Sequence, residues 1–296
     1  MLNKLVEGAI LRNDKLRGLA DVVEKEILHH DILWVLQKSG ILQNLTFIGG
    51  TALRVCYKSN RLSEDLDFTA GVDFKASSLS GIGDHLREHF YKKYGLNVAV
   101  HEPSLSSTDT STWKITIEKF PNRPDLPSQK MHIDVCALPS FDREFRPAID
   151  HYDISSPISG LPLPVQSKQE ILADKMVAFA FRKRRIKPRD VWDIVWLKQG
   201  GIEQNAQLVA QKLEVRSKTI NEYIELTSKH ADMVLNDPTT RQDFEQEMSR
   251  FLPIDVAQNT LKNSHFWPYV SGVVKEDVEQ VNKELTGSIA LTSMKM

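Results

Sequence analysis

Gly49-Gly50, followed by Asp65 and Asp67, is the pattern in this chain best suited to chemistry. The glycines close a short apolar segment, Leu45 to Ile48, and permit a tight turn with the backbone close to a ligand. Thr51 then opens TALRVCY, which reads as the first turns of a helix. A helix start offers unpaired N–H groups and the positive end of a dipole, so a phosphate fits there. Asp65 and Asp67 stand in EDLDF. In a strand, residues i and i+2 share a face. Two carboxylates on one face repel unless a cation lies between them. Mg²⁺ (or Mn²⁺) takes oxygen ligands and keeps positions for water and substrate phosphate. Two such ions clamp the attacking and leaving oxygens of a phosphoryl displacement. The chemistry implied is nucleotidyl transfer from a nucleoside triphosphate, with Gly49, Gly50 and Thr51 at the phosphates and Asp65 and Asp67 at the metal. A lone Gly-Gly turn or a lone DxD carries little; their combination carries the reading.

Further residues bear on it. MHIDVCA, residues 131–137, alternates like a strand, with Met131, Ile133 and Val135 on one side and His132, Asp134 and Cys136 on the other. An aspartate within a short apolar strand is costly unless paired or metal-bound. Asp134 is therefore a candidate third ligand, or the base that takes a proton from an attacking hydroxyl; a solvent-facing aspartate is the plain alternative. Lys175 falls at helical spacing among Ile171, Leu172, Met176 and Phe179. It either reaches triphosphate oxygens or snorkels at a helix edge. Asp190 and Asp193, three apart, share a helical face. Six of the eight residues 182–189 are Lys or Arg. Such a run is ordinarily a solvated face. Beside a nucleotidyltransferase pocket it also suits RNA phosphates, with Arg182, Lys183, Arg184 and Arg185 as the contacts. Ser63 is a turn serine or part of the nucleotide site, and Arg61 contacts phosphate or pairs with an acid.

FIGGTALRVCYKSNRLSEDLDF resembles the signature of the AbiEii (MenT-like) nucleotidyltransferase toxins, a branch of the DNA polymerase β nucleotidyltransferase superfamily. KQEILADKMVAFAFRKRRIKPRDVWDIVWL resembles that family's later lysine and aspartate motifs, and the similarity spans roughly residues 20–200. The resemblance implies catalytic roles for Asp65, Asp67, Asp134, Lys175 and Asp190, and nucleotide binding by Lys175 and Ser63. It implies that modification at Ser63 can silence the enzyme. It implies an RNA acceptor, the tRNA 3′ end, a block to translation, and a cognate antitoxin. Alanine at Asp65 or Lys175 is expected to abolish transfer in a folded chain. The rival readings are a protein or small-molecule acceptor, and a non-catalytic nucleotide-binding module.

The elements that must position these residues form an α/β (α+β) arrangement. Helices cover residues 3–38, with strands near 45–49, 64–69, 96–101, 113–119 and 131–137 in a mixed sheet, and a helix near 79–94. A polar loop, SLSSTDTST, separates the third and fourth strands. SSPISGLPLPVQ, residues 155–166, reads as a linker. Beyond it the chain is mainly helical to about residue 284, with a weakly anchored tail. The expected domains are a nucleotidyltransferase domain with N-terminal helices over 1–154 and a helical domain over 167–296 carrying Lys175 and Asp190. Hydrophobic residues make up 41% and charged residues 26%, with net charge −1, so nothing global demands nucleic acid. Cys56 and Cys136 form no zinc or disulfide framework and read as small core residues. No apolar run approaches a membrane span, and the expected location is cytoplasmic. His29-His30 reads as surface.

Overall fold

A computed structural model describes residues 1–103, 110–119, 127–154 and 156–293, with side chains described through residue 287. The chain falls into two compact units, Met1–Gln166 and Ser167–Met296.

The first unit holds α1 (Leu2–Arg12), α2 (Ala20–Lys38), β1 (Thr46–Ile48), α3 (Gly49–Tyr57), β2 (Leu66–Thr69), α4 (Ile82–Tyr94), β3 (Asn97–His101), β4 (Thr110–Glu118), β5 (Gln129–Cys136), β6 (Arg143–Pro147) and β7 (Pro162–Gln166). The strands form one seven-stranded mixed sheet in the order β3-β4-β5-β2-β1-β7-β6. Alternation sets its two faces. Phe47, Leu66, Phe68, Ile133, Val135 and Trp113 turn to one side and are buried there. Phe47 stacks on Phe68, with ring centroids 5.1 Å apart. The residues between them point to the other face, where the acidic groups lie.

The candidate linker is partly sheet. Residues 162–166 are β7, between β1 and β6. Pro162 and Pro164 argue against a strand because they cannot donate to a ladder. They are accommodated because short β1 meets β7 at a single register pair, Phe47↔Val165. β6 is an exposed edge strand whose sequence, REFRP, has no apolar alternation to read. Of the polar loop, residues 104–109 lie outside the described set and 110–112 begin β4.

His29 and His30 are not on the surface: they are 0% and 4% exposed. α2 is buried around much of its circumference, and several of its polar residues pair with other segments. His30 Nδ1 lies 2.6 Å from Ser156 Oγ, and Asp31 accepts from His89, Lys93 and Tyr94. Cys56 is buried, and burial pushes its thiol up to about 12; Cys136 is half-buried on the acidic face.

The second unit is helical: α5 (Lys168–Phe181), α6 (Pro188–Gln199), α7 (Ala206–Glu214), α8 (Ile220–Asn236), α9 (Pro238–Met248), α10 (Ile254–Asn259) and α11 (Phe266–Ser293). Ser167, Asn205, Thr219 and Asp237 cap α5, α7, α8 and α9 by accepting first-turn N–H groups. Pro188 and Pro238 occupy first-turn positions, where a missing N–H costs nothing. Trp192, Phe244, Phe266 and Trp267 form an aromatic cluster where α6, α9 and α11 meet. The tail continues α11 as backbone to Ser293, and residues 294–296 lie outside the described set.

Candidate active site

Each glycine of the pair is required by a different neighbour. Gly49 has φ +77°, the left-handed region that L side chains rarely adopt, and it turns the chain from β1 directly into α3. The helix therefore begins at Gly49, not at Thr51. A Cβ on Gly49 would lie 2.9 Å from Asp67 Oδ2. A Cβ on Gly50 would lie 1.9 Å from Arg61 Nη2. Gly50 thus makes room for a buried guanidinium, which also donates to the Leu62 carbonyl at 3.1 Å. Thr51 is buried; its Oγ1 is 2.7 Å from Ser63 Oγ and donates to the Asp65 carbonyl. Ser63 is 5% exposed, so its hydroxyl faces Thr51 rather than solvent.

The acidic residues meet through sheet register. β2 runs parallel to β5 with Asp67 opposite Asp134, and β4 runs antiparallel to β5 with Thr112 opposite Asp134. Register partners present side chains on the same face. Thr112, Asp134 and Asp67 therefore form a row across three strands, continued by Ile48 opposite Asp67. Thr112 Oγ1 donates to Asp134 Oδ1 at 2.6 Å. Asp65 precedes β2, and its Oδ1 lies 3.3 Å from His132 Nδ1.

A divalent cation suits this row. Among the described residues no three His, Cys, Asp or Glu side chains are gathered closely enough to hold an ion unaided. Mg²⁺ commonly takes only one or two carboxylates and leaves its other positions to water and substrate phosphate. Adjacent Asp67 and Asp134 supply that pair, and like charges so placed are stabilised by a cation.

The second unit carries Lys175, Asp190 and Asp193. Lys175 Nζ is 2.8 Å from Asp190 Oδ1 and 2.8 Å from Asp193 Oδ2. Arg182 Nη2 is 2.9 Å from Asp190 Oδ2. Burial pushes the Asp190 carboxyl up, but Lys175 and Arg182 more than offset this and hold it down to about 2. Asp190 is thus an ionised anchor that fixes both cations. Alanine at 175 would take one cation from buried Asp190 and Asp193, while Arg182 stays on Asp190; breaking a buried pair costs up to roughly 3–5 kcal/mol. That cost bears directly on the expectation that Lys175→Ala leaves the chain folded.

The basic run divides in two. Arg182 pairs with Asp190, and Arg185 pairs with Asp243 and Glu247. Arg189 pairs with Glu247 as well. Lys183 and Arg184 are exposed, and neither makes an ion pair among the described residues.

Sequence reasoning missed Thr112 and the His132–Asp65 contact, since both depend on pairings between distant segments. Thr112 carries no signal of its own. His132 carries a weak one, alternating with Asp134 on the same face.

The sequence matches the family model described as "Nucleotidyl transferase AbiEii toxin, Type IV TA system" over residues 31–269. No curated protein matches. Among solved structures, the nucleotidyltransferase toxin MenT4 from Mycobacterium tuberculosis is similar at 15% identity and a TM-score of 0.53, covering 96% of this chain and 99% of that one. JHP933 from Helicobacter pylori is 14% identical with a TM-score of 0.49, covering 93% of this chain and 98% of its own.

Proposed function

The chain belongs to the AbiEii nucleotidyltransferase toxin family, and from that premise we propose that it transfers a nucleoside monophosphate from a nucleoside triphosphate to the 3′ end of a tRNA, blocking translation. The observation that carries the chemistry is the meeting of two segments. The turn that opens α3 lies against Asp67, and Asp67 stands in register with Asp134. A helix start suited to phosphate thus adjoins carboxylates suited to a metal.

Asp67 and Asp134, with Asp65, would hold Mg²⁺ or Mn²⁺, which when bound supplies positive charge to the triphosphate oxygens. N–H groups at the start of α3 hold the terminal phosphates. Asp134, its carboxylate held by Thr112, accepts a proton from the acceptor hydroxyl. That oxygen bonds to the α-phosphorus as pyrophosphate leaves. Asp190 holds Lys175 and Arg182 in place as cations for anionic substrate. Lys183 and Arg184 serve RNA phosphates. A cognate antitoxin and a cytoplasmic location fit the family; among the described residues no helix is long and apolar enough to cross a membrane. The nucleotidyltransferase role falls to the first unit and the cationic role to the second.

The test is incubation with total RNA, Mg²⁺ and each α-phosphate-labelled nucleoside triphosphate, beside Asp65→Ala. Label on a tRNA-sized band, absent in the variant, is the expected result. Label on protein or small molecules instead would overturn the RNA acceptor. Lys175→Ala is a poor control because of its structural cost.

A further inference from the structure

Lys25, Glu26 and His29 share one face of α2, and all three grip the segment that leads into Asp65. Lys25 Nζ donates to Glu64 Oε1 at 2.7 Å. Glu26 Oε1 accepts from the Ser63 N–H at 3.0 Å. His29 Nε2 lies 2.9 Å from the Glu64 carbonyl. A carbonyl only accepts, so Nε2 carries the proton. The other ring nitrogen, Nδ1, is buried with no hydrogen-bond partner. This neutral histidine therefore has a single polar task, to hold that carbonyl.

Glu26 extends the grip. Arg54 Nε donates to both of its oxygens at 3.2 Å, and Tyr152 donates to Oε2. Arg54 belongs to α3, the helix that starts at Gly49. One buried carboxylate thus ties the phosphate-facing helix to the segment before Asp65. From α3 itself, Thr51 donates to the Asp65 carbonyl. Residues 63, 64 and 65 are pinned in succession by groups from two helices. Packing alone does not call for this, since an apolar side chain would fill the site of His29 without burying an unpaired nitrogen.

We propose that His29 and Glu26 are positioning residues for nucleotidyl transfer, setting where Asp65 stands relative to the start of α3. This rests on the reading above that Asp65 serves the metal. Neither residue touches substrate, and both act through the 63–65 segment.

The test compares His29→Leu, which removes the donor, with His29→Gln, which restores one. Ile32→Val, an apolar trim at a fully buried position on the next turn of α2, is the packing control. Full-length proteins are assayed for transfer. Their Mn²⁺ affinity in the presence of a non-hydrolysable nucleoside triphosphate is measured by electron paramagnetic resonance. His29→Leu is expected to lower kcat and weaken Mn²⁺ binding by about tenfold or more, the scale of losses seen when outer-shell partners of a metal site are removed. KM for the nucleotide should move little, and His29→Gln should recover most of both losses. Ile32→Val should lower Tm without moving Mn²⁺ affinity. Wild-type Mn²⁺ affinity and kcat in His29→Leu would overturn the proposal. So would an equal Mn²⁺ shift in Ile32→Val. Absence of transfer by the wild-type protein would instead defeat the proposed function, while the Mn²⁺ comparison would still decide the positioning role.

Discussion

Asp134 makes the sharpest test at the scale of one residue. Its carboxylate stands beside that of Asp67 and accepts from Thr112. Asparagine at 134 keeps an oxygen for the Thr112 hydroxyl and removes one of two adjacent like charges. Asp134→Asn is therefore expected to abolish transfer while leaving Tm unchanged or raised by a few degrees, because repulsion between close carboxylates is relieved. Thermal melts beside the labelled-nucleotide assay check this. Transfer near the wild-type rate would remove Asp134 from the chemistry. Gly50 teaches a related lesson. Its missing side chain admits the Arg61 guanidinium, so a glycine read as room for a ligand is first of all room for a neighbour.

Among the elements, α2 through His30 and the loop before β7 through His151 bear on how acid acts on the first unit. Burial lowers His30 to about 4, and burial followed by the nearby Arg54 charge lowers His151 to about 4. Both are therefore neutral in the folded protein at pH 7. A group whose folded pKa lies below its unfolded value contributes stability that is full above the unfolded value, near 6.5, and is lost as pH falls toward the folded one. Stability to urea should fall between about pH 6.5 and 4. Glutamine at both positions should flatten that slope, and an unchanged slope would count against these histidines. Asp190 acts in a lower window. Its folded value of about 2 lies below the ordinary 3.8, so its contribution persists above pH 3.8 and is lost on going down to about 2.

For the molecule as a whole, charge is nearly balanced at −1, and the conspicuous basic run is largely consumed by ion pairs. RNA affinity, where it depends on that run, rests on Lys183 and Arg184. Two phosphate contacts give a shallow salt dependence, with log K falling against log salt at a slope of about −1.4 for single strands. Binding isotherms at several salt concentrations should show Lys183→Ala with Arg184→Ala reducing the slope by about that amount. A slope several times steeper that the double variant leaves untouched would place the RNA contacts elsewhere.

Readable from the chain alone are the strands of Asp67 and Asp134, the glycine turn, the helix with Lys175, and the family. These are local matters: period-two alternation in MHIDVCA, a glycine pair after an apolar run, and helical spacing in KQEILADKM are readable from neighbours alone. Strands β6 and β7 were not legible, since an exposed edge has no apolar face to betray it and prolines disguised the other. Tertiary packing settles which side chains meet. It set Asp67 opposite Asp134 and Thr112 through strand register, and it placed Arg61 against Gly50. It turned His29 inward onto the Glu64 carbonyl. Register and burial are sums over contacts between segments far apart in the chain, and no local pattern carries them.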